Sequence, residues 1–322
     1  ILLASFFPAK GSFATGMHYA SKVFLFLLFF FYGAKLAPRE TLLGLKNWRL
    51  HAVIFCFTFI LFPIIGVGLK YATIGWLGQG LALGLLYLTL VPGTVQSSIA
   101  FTSVAHGNVA GAIVASSLSN ILGVFLTPLL VMLTMATTGD VHITGRSILD
   151  IFLQILLPFI IGQLLHKYLG PGLNRHPILT KTVDRGTIWI NVYTAFSQAV
   201  VEGVWMRVTA LHLLALVGIC IAVVSLVLVL SWCMAKGLGF NREDCIAAQF
   251  CGSKKSLSSG IAMGAVLFAG STGELSAGIL MLPLMLFHLF QLLICAVLAG
   301  RYGRQWEREH THAHANDQGA AQ

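Results

Sequence analysis

Charged residues are scarce in this chain. Only 10% of its residues are Asp, Glu, Lys or Arg, whereas a soluble domain carries about 25%. Apolar residues make up 57% of the sequence, and the mean hydropathy is +0.85. This composition argues against a soluble enzyme, and the positions of the charges explain the net charge of +9 better than a nucleic-acid partner does. The sequence therefore predicts an integral membrane protein in contact with the lipid bilayer.

Motifs for catalysis and for metal binding are also missing. The sequence holds no HExxH motif and no nucleophile–base pair, so we expect no catalytic residues, no metal site, no cofactor and no enzyme. Its six cysteines form no CxxC pair and read as reduced packing residues. The eleven acidic residues fall at segment ends, in loops or in the tail, so no carboxylate is expected deep in a helix.

Apolar segments long enough to cross a bilayer recur along the chain. A span takes roughly 20 residues, and the short run before residue 8 reads as the remaining half of a first helix. An all-α protein of ten transmembrane helices is expected, followed by a disordered cytoplasmic tail at 301–322, whose alternating histidines read as solvated rather than metal-binding. The predicted segments lie at about 1–8, 17–37, 50–71, 75–104, 108–137, 147–169, 186–204, 209–236, 243–268 and 274–300.

Basic residues between these segments are distributed unevenly. With the N-terminus inside, twelve basic loop and tail residues fall on the cytoplasmic side and four on the outer side. This bias follows the positive-inside rule. It predicts a multi-pass protein of the cytoplasmic (inner) membrane with both termini in the cytoplasm.

Two similar motifs suggest an internal repeat. VPGTVQSS at 91–98 precedes a segment with LTPLL, and CGSKKS at 251–256 precedes one with MLPLM. Ten helices divide into two groups of five, which are inverted because five is odd. Segments 75–104 and 243–268 then become discontinuous helices, broken at Pro-Gly and Gly-Ser, whose breaks cross near the bilayer midplane.

Lys254 and Lys255 interrupt a segment of small and apolar residues. At 1.5 Å per residue they lie near half depth, where a charge costs roughly 3 kcal/mol on insertion scales and normally faces a pathway. One interpretation is a cation that binds an anion or carries a proton. The other is an ammonium held by helix-end carbonyls that stabilises the crossing without touching substrate.

Polar residues around the two breaks complete the candidate binding site. Backbone N–H groups at the start of a half-helix bind anions, although the hydroxyls there can also bond back to their own helix. On the next helix small polar residues are as readily packing contacts as ligands, and a membrane histidine is either a proton relay or a hydrogen-bonded packing residue. The candidates are Gln96, Ser97, Ser98, Ser116, Asn120, Ser253, Lys254, Lys255, Ser256, His288 and Gln291.

PGTVQSSIAFTSVAHGNVAGAIVASS followed by LTPLL, and GSKKSLSSGIAMG, resemble the fourth, fifth and ninth helices of the bile acid:sodium symporter family. The CxxxKSLxxGI pattern and the FHLFQ motif resemble the branch that contains solute carrier family 10 member 7. The resemblance covers nearly the whole chain and implies a core and a panel domain with the substrate between them. The panel would hold the segments at 1–8, 17–37, 147–169 and 186–204, and the core the other six.

The family's first sodium site transfers poorly to this sequence. The resemblance places its ligands at Ser98 and Ile99, at Ala112 and Ser116, and at Phe250, so three of the five positions lack a side-chain oxygen. The family's Gln-Asn pair reads Lys254-Lys255. Since a hard cation needs oxygen ligands and a lysine repels it, we expect a lysine to replace at least one sodium.

The leading functional hypothesis is a secondary active transporter of an organic anion. The substrate would be bile-acid-like or another amphipathic or carboxylate solute, moved by alternating access, with Na⁺ or H⁺ as the possible coupling ion and sodium the doubtful one. Two alternatives remain: a sodium-coupled symporter with a rebuilt ion site, and a non-transporting membrane regulator or sensor. A channel is disfavoured because no selectivity-filter repeat occurs.

Overall fold

The apolar runs fold as helices, because a helix satisfies its own backbone hydrogen bonds inside a bilayer. A computed structural model describes residues 4, 6–35, 47–136, 149, 152–175, 177–201, 203, 208–269 and 271–320, without the side chains of 174, 177, 274 and 310–320. In this part of the chain all regular structure is helical. The helices are α1 (Gly11–Lys35), α2 (Trp48–Leu77), α3 (Gln79–Leu90), α4 (Gln96–Val104), α5 (Val109–Val131), α6 (Leu157–Leu164), α7 (His166–Arg175), α8 (Pro177–Val201), α9 (Ala210–Gly237), α10 (Arg242–Gly252), α11 (Leu257–Leu267) and α12 (Ala277–Ala320).

Three π-helical turns modify these helices. Phe57–Leu61 lies inside α2, Met132–Ala136 extends α5, and Phe152–Leu156 leads into α6. Within the described ranges, five helices are long and apolar enough to cross a membrane, or six if the pair formed by α6 and α7 counts as one broken span. The length and hydropathy of these helices indicate an integral membrane protein. Half of the predicted segment at 1–8 lies outside the described residues.

The boundaries of two predicted segments differ from the structure. The segment predicted at 147–169 is bent by 92° between α6 and α7. The segment predicted at 186–204 begins nine residues earlier, because α8 starts at Pro177. A helix does not need to end where its apolar run ends, and the polar residues of its first turns can pack against neighbours.

Both predicted discontinuous helices are broken, and their breaks meet. Pro92 restricts the residue before it to extended backbone, and Val91 has φ −77° and ψ 156° at the end of α3. On the other side, the extended Ser256 caps α11 by accepting a hydrogen bond from the Ser259 amide at 3.3 Å. The Ser256 amide donates to the Pro92 carbonyl at 2.8 Å. The two unwound stretches are thus joined by a backbone hydrogen bond.

Glycines set the distance between α1 and α6. A Cβ on Gly33 would collide with the carbonyl of Phe159, and one on Gly162 with the carbonyl of Phe30. The contact is reciprocal, and small residues of this kind let membrane helices approach closely. Helices α1, α6, α7 and α8 pack on one another as a first group, while α2–α5 and α9–α12 form a second group. The first group meets the second through contacts of α8 with α11 and α12.

The last helix extends beyond its predicted end. Helix α12 continues past Arg301, and the Trp306 ring stacks on His106 with 3.9 Å between ring centroids. The Arg242 guanidinium donates to the Tyr302 carbonyl at 3.1 Å. The stretch up to Glu309, for which the sequence predicts disorder, is thus helical, and its aromatic residues pack on His106 after α4 and on Phe250 of α10.

Candidate functional site

The Lys255 ammonium lies in a cage of backbone carbonyls at the crossing. Its Nζ donates to the carbonyls of Thr58 at 2.8 Å, Thr89 at 2.7 Å and Val91 at 2.9 Å. The Phe62 ring lies below it, with 4.2 Å from Nζ to the ring centroid. An ammonium has three donors, so this set of hydrogen bonds is complete, and the side chain is fully buried.

The three carbonyls are available for reasons that the sequence supplies. Proline has no backbone N–H, so Pro63 gives no hydrogen bond to the Thr58 carbonyl, its partner in the π-helical spacing of this turn. Thr89 lies in the last turn of α3 and Val91 follows its last residue, and carbonyls at a helix end have no intrahelical donor. The Leu90 carbonyl between them accepts from the Thr127 hydroxyl at 2.9 Å. Lys255 thus satisfies acceptors that the break would leave unpaired.

Gln291 of α12 fixes the backbone of Lys255. Its Oε1 accepts from the Lys255 amide at 2.9 Å, and its Nε2 donates to the Lys255 carbonyl at 2.8 Å. The same Nε2 lies 2.7 Å from Nδ1 of His288. The predicted pair of His288 and Gln291 therefore connects the carbonyl cage to the cavity described below.

Lys254 lies on the other side of the crossing, among aromatic rings. Its Nζ donates to the Ser97 carbonyl at 2.9 Å and lies 4.0 Å from the Phe101 ring centroid and 5.1 Å from that of Phe250. A cation over an aromatic face is stabilised by the ring quadrupole. Lys254 is fully buried as well. The two lysines thus occupy different environments, one of carbonyls and one mainly of rings.

The serines that the resemblance assigns to sodium have protein partners. The Ser98 hydroxyl donates to the Phe250 carbonyl at 3.2 Å, and that of Ser116 lies 3.5 Å from the sulfur of Cys251. Thr94 Oγ1 lies 2.7 Å from Ser97 Oγ and 3.1 Å from Ser98 Oγ. The Ser253 hydroxyl is buried without a hydrogen-bond partner among the described residues.

A cavity of about 580 Å³ opens beside the crossing, between the two groups of helices. It is bounded by α1 and α8 on one side and by α4, α5, α11 and α12 on the other. Five of the eleven predicted residues line it: Gln96, Ser97, Asn120, Ser256 and His288. The other six, Ser98, Ser116, Ser253, Lys254, Lys255 and Gln291, are buried behind its wall.

Comparison with known proteins decides the family. The sequence matches the SBF-like CPA transporter family over residues 1–304. The chain belongs to this family. It is 46% identical to the protein PA2026 of Pseudomonas aeruginosa over 95% of this chain and 90% of that protein. It is 45% identical to the "Putative symporter YfeH" of Escherichia coli K12 over 96% of this chain and 91% of that protein.

A more distant relative of this SBF-like transporter is the sodium/bile acid cotransporter 7 of Xenopus tropicalis. It is 28% identical over 84% of this chain and 78% of that protein. The resemblance deduced from the helix motifs is therefore confirmed. The family consists of membrane transporters, so the expectation that the chain is not an enzyme is confirmed too.

Asp184 of this SBF-like transporter is not among the site residues predicted from the sequence. Asp184 lies in the second turn of α8 and lines the cavity, although the sequence placed it before the start of an apolar segment. The early start of α8 is the reason. The signal in the sequence is a polar stripe at helical spacing, formed by Thr180, Asp184, Thr187 and Asn191.

Hydroxyl groups surround Asp184. The Tyr32 hydroxyl of α1 donates to its Oδ1 at 3.1 Å, and the same hydroxyl lies 3.5 Å from Oγ of Ser258 at the start of α11. Lys35 also lines the cavity, and its Nζ donates to the Thr180 hydroxyl at 3.3 Å. These contacts connect α1 and α8 with the crossing.

Further along the stripe, polar residues bind within the first group of helices. The Ser21 hydroxyl donates to Asn191 at 2.6 Å, and the Thr187 hydroxyl contacts the Phe24 carbonyl at 3.2 Å. In the described part of the chain, no group of three His, Cys, Asp or Glu side chains is arranged to hold a metal ion. The polar chemistry of the site therefore rests on hydroxyls, amides, lysines and one carboxylate.

Proposed function

We propose that this protein is a secondary active transporter that moves an organic anion across the cytoplasmic membrane by alternating access. Its ten helices would form two inverted repeats with both termini in the cytoplasm, and the first and second groups of helices would act as panel and core. The joined breaks of α3/α4 and α10/α11 beside a cavity support this reading, because broken helices at a repeat interface form the binding sites of many transporters.

The charge around the cavity favours an anion. Among the described residues, Lys35 and Lys181 line it, against a single carboxylate, that of Asp184. The first residues of α4 and α11, among them Gln96 and Leu257, line it as well, and helix N-termini attract negative charge. Apolar side chains such as Leu28 and Phe31 complete the wall. An organic carboxylate with a large apolar portion would match both the basic groups and the apolar wall of the cavity.

The environment of the Lys255 ammonium supports the proposal that a lysine replaces a sodium ion. Three carbonyl oxygens converge on one positive charge at the crossing, which is the arrangement that a bound cation would need. Because the cation is covalently attached, it neither enters nor leaves during transport. Coupling at this position would then be lost, and any coupled ion must bind elsewhere.

A sodium-coupled symporter is the second candidate. It is favoured by the cluster of Thr94, Ser97 and Ser98 hydroxyls next to the cavity and by the printed name of the sodium/bile acid cotransporter 7 relatives. Lys254 bonds to the Ser97 carbonyl, so its charge would oppose a cation there.

Ligand-induced stabilisation followed by counterflow tests the proposal. Purified protein is melted with a series of organic carboxylates, cholate included, and with the uncharged amide of each. We expect stabilisation by at least one carboxylate and not by its amide. That carboxylate should then exchange across proteoliposomes in counterflow. Equal stabilisation by the amides would contradict an anion site, and binding without counterflow would favour a sensor.

A further inference from the structure

The position of Asp184 in the cavity wall indicates that this carboxylate has a functional role as well as a structural one. Among the described residues that line the cavity it is the sole acid. It is half-buried on α8, which contacts both α1 and α11. A carboxylate at a contact between two groups of helices costs free energy in the bilayer and marks a functional pathway more often than a packing contact.

The partners of Asp184 leave its charge open to change. Its hydrogen bond comes from the neutral hydroxyl of Tyr32, and the Ser258 hydroxyl contacts that same Tyr32 hydroxyl. Lys35, one turn beyond Tyr32, gives its hydrogen bond to Thr180, and the charges of Lys35 and Arg185 act on Asp184 from a distance. A carboxylate held by hydroxyls can gain a proton without breaking an ion pair, whereas a paired one cannot.

We propose that Asp184 is the proton-carrying group of this transporter, and that the Tyr32 hydroxyl links its protonation to the contact between the two groups of helices. The proposal rests on the transport function argued above and adds the coupling site to it. The proton would enter from water in the cavity, bind one carboxylate oxygen and leave to water after the cavity opens to the other side. As the carboxyl O–H bond forms, one O–H bond of a hydronium ion in the cavity breaks, and on release the proton returns to water as hydronium.

The hydroxyl of Tyr32 makes the link because it lies between the two side chains. With Asp184 ionised, Tyr32 donates to the carboxylate and can accept from Ser258. With Asp184 protonated, the acid can donate to Tyr32, and Tyr32 then donates to Ser258. The direction of both hydrogen bonds reverses. Protonation of Asp184 therefore decides whether Tyr32 of α1 donates its hydrogen bond to α8 or to α11.

The surroundings favour a proton over sodium. The charged and titratable groups near Asp184 are Tyr32 and Lys35 on α1, Lys181 and Arg185 on α8, and His288 on the facing α12. Three of the five are cations that oppose a bound metal ion. A proton forms a neutral acid and needs no shell of oxygens, whereas sodium requires several.

Infrared difference spectra of the purified protein test the proton site directly, without a substrate. Spectra at about pH 5 and pH 8 are compared for the wild type, Asp184→Asn, Tyr32→Phe and Glu243→Gln. Glu243 is an exposed acid at the start of α10, away from the cavity, and serves as the matched control. We expect a carboxylic-acid band that disappears in Asp184→Asn, shifts in Tyr32→Phe and is unchanged in Glu243→Gln. Absence of the band in the wild type, or its persistence in Asp184→Asn, overturns the proposal.

A transport measurement then tests coupling. Labelled taurocholate is followed in proteoliposomes, both in counterflow and under an imposed pH gradient. Relative to its own counterflow rate, Asp184→Asn should lose at least ten-fold of the gradient-driven accumulation, while Glu243→Gln keeps both at the wild-type level. Accumulation by Asp184→Asn at the wild-type level contradicts the proposal. If the wild type neither exchanges nor accumulates taurocholate, the proposed function fails for this anion, and the infrared result alone decides whether Asp184 binds the proton.

Discussion

Lys254 and Lys255 are adjacent in the sequence, but their ammonium groups lie in different environments. Lys255 satisfies three backbone carbonyls, while Lys254 donates to one carbonyl and lies over two rings. The sequence predicts that both lie near mid-depth, but it cannot assign their partners. The partners of Lys255 depend on Pro63 and on the end of α3, and those of Lys254 depend chiefly on α4; both lie far away in sequence.

Replacement of Lys255 by Met should destabilise the protein more than the same change at Lys254. Lys255→Met leaves three buried carbonyls without a donor, and each unsatisfied group costs about 1–3 kcal/mol. We expect a loss of roughly 3 kcal/mol or more and a lower melting temperature. Lys254→Met, the matched control, orphans one carbonyl and keeps an apolar side chain between the rings. Thermal unfolding in detergent measures both, and equal losses would mean that the carbonyl cage contributes nothing special.

Asp184 is the opposite case, a residue that sequence reasoning overlooked. Its neighbours Thr180, Lys181 and Arg185 are polar, so the apolar segment was expected to begin only at residue 186. The structure begins the helix at Pro177, and the Thr180 and Asp184 side chains bind Lys35 and Tyr32 of α1. A search for polar residues at spacings of three and four would have found the stripe, but not its partner Tyr32.

At the scale of elements, the breaks of the discontinuous helices were predictable and helix ends were not. Pro92 and the Gly252-Ser253 pair mark the breaks in the sequence, since proline and glycine disfavour a continuous helix. The end of α12 has no such mark. Trp306 and Tyr302 extend it through contacts with His106 and Trp232, which only the tertiary structure reveals.

The close approach of α1 and α6 gives a prediction for helix packing. Gly33→Ala places a methyl group against the Phe159 backbone, which cannot move as a side chain can. We expect a loss of about 1–3 kcal/mol or more from overpacking, seen as a lower melting temperature and reduced yield of folded protein. Gly16→Ala in the same helix is the control, because nothing lies within 4 Å of its Cβ. Similar behaviour of both variants would indicate that α1 and α6 can separate at little cost.

For the whole molecule, orientation in the membrane follows from the positions of basic residues. The prediction places Lys236 at the cytoplasmic face and Thr272 at the outer face. Lys236→Cys and Thr272→Cys, both at exposed sites, are made in a background with the exposed Cys56 and Cys233 replaced by Ser. A membrane-impermeant maleimide should label Thr272→Cys on intact cells, and Lys236→Cys only after permeabilisation. The reverse pattern would invert the topology.

Sodium dependence is the property that tests the roles of the crossing and the cavity and the relation to the sodium symporters together. If the Lys255 ammonium stands in for a sodium ion, the wild type should melt at the same temperature in sodium chloride and in choline chloride at equal ionic strength. Lys255→Asn removes the charge, supplies an oxygen and leaves three carbonyls facing the vacated position. A sodium concentration ten times Kd would stabilise this variant by about 1.4 kcal/mol. Lys254→Gln, measured alongside, tests the ring-lined position in the same way.

The two outcomes of this melting experiment lead to different mechanisms. A sodium shift confined to a lysine variant would mean that the chain carries its own cation at the crossing, so that a different ion, bound elsewhere, must drive accumulation. A clear shift in the wild type would mean that other oxygens, with the Thr94, Ser97 and Ser98 hydroxyls as the first candidates, rebuild a sodium site despite Lys254. Sodium symport would then become the leading function, and the two lysines would be fixed charges that orient the helix ends around it.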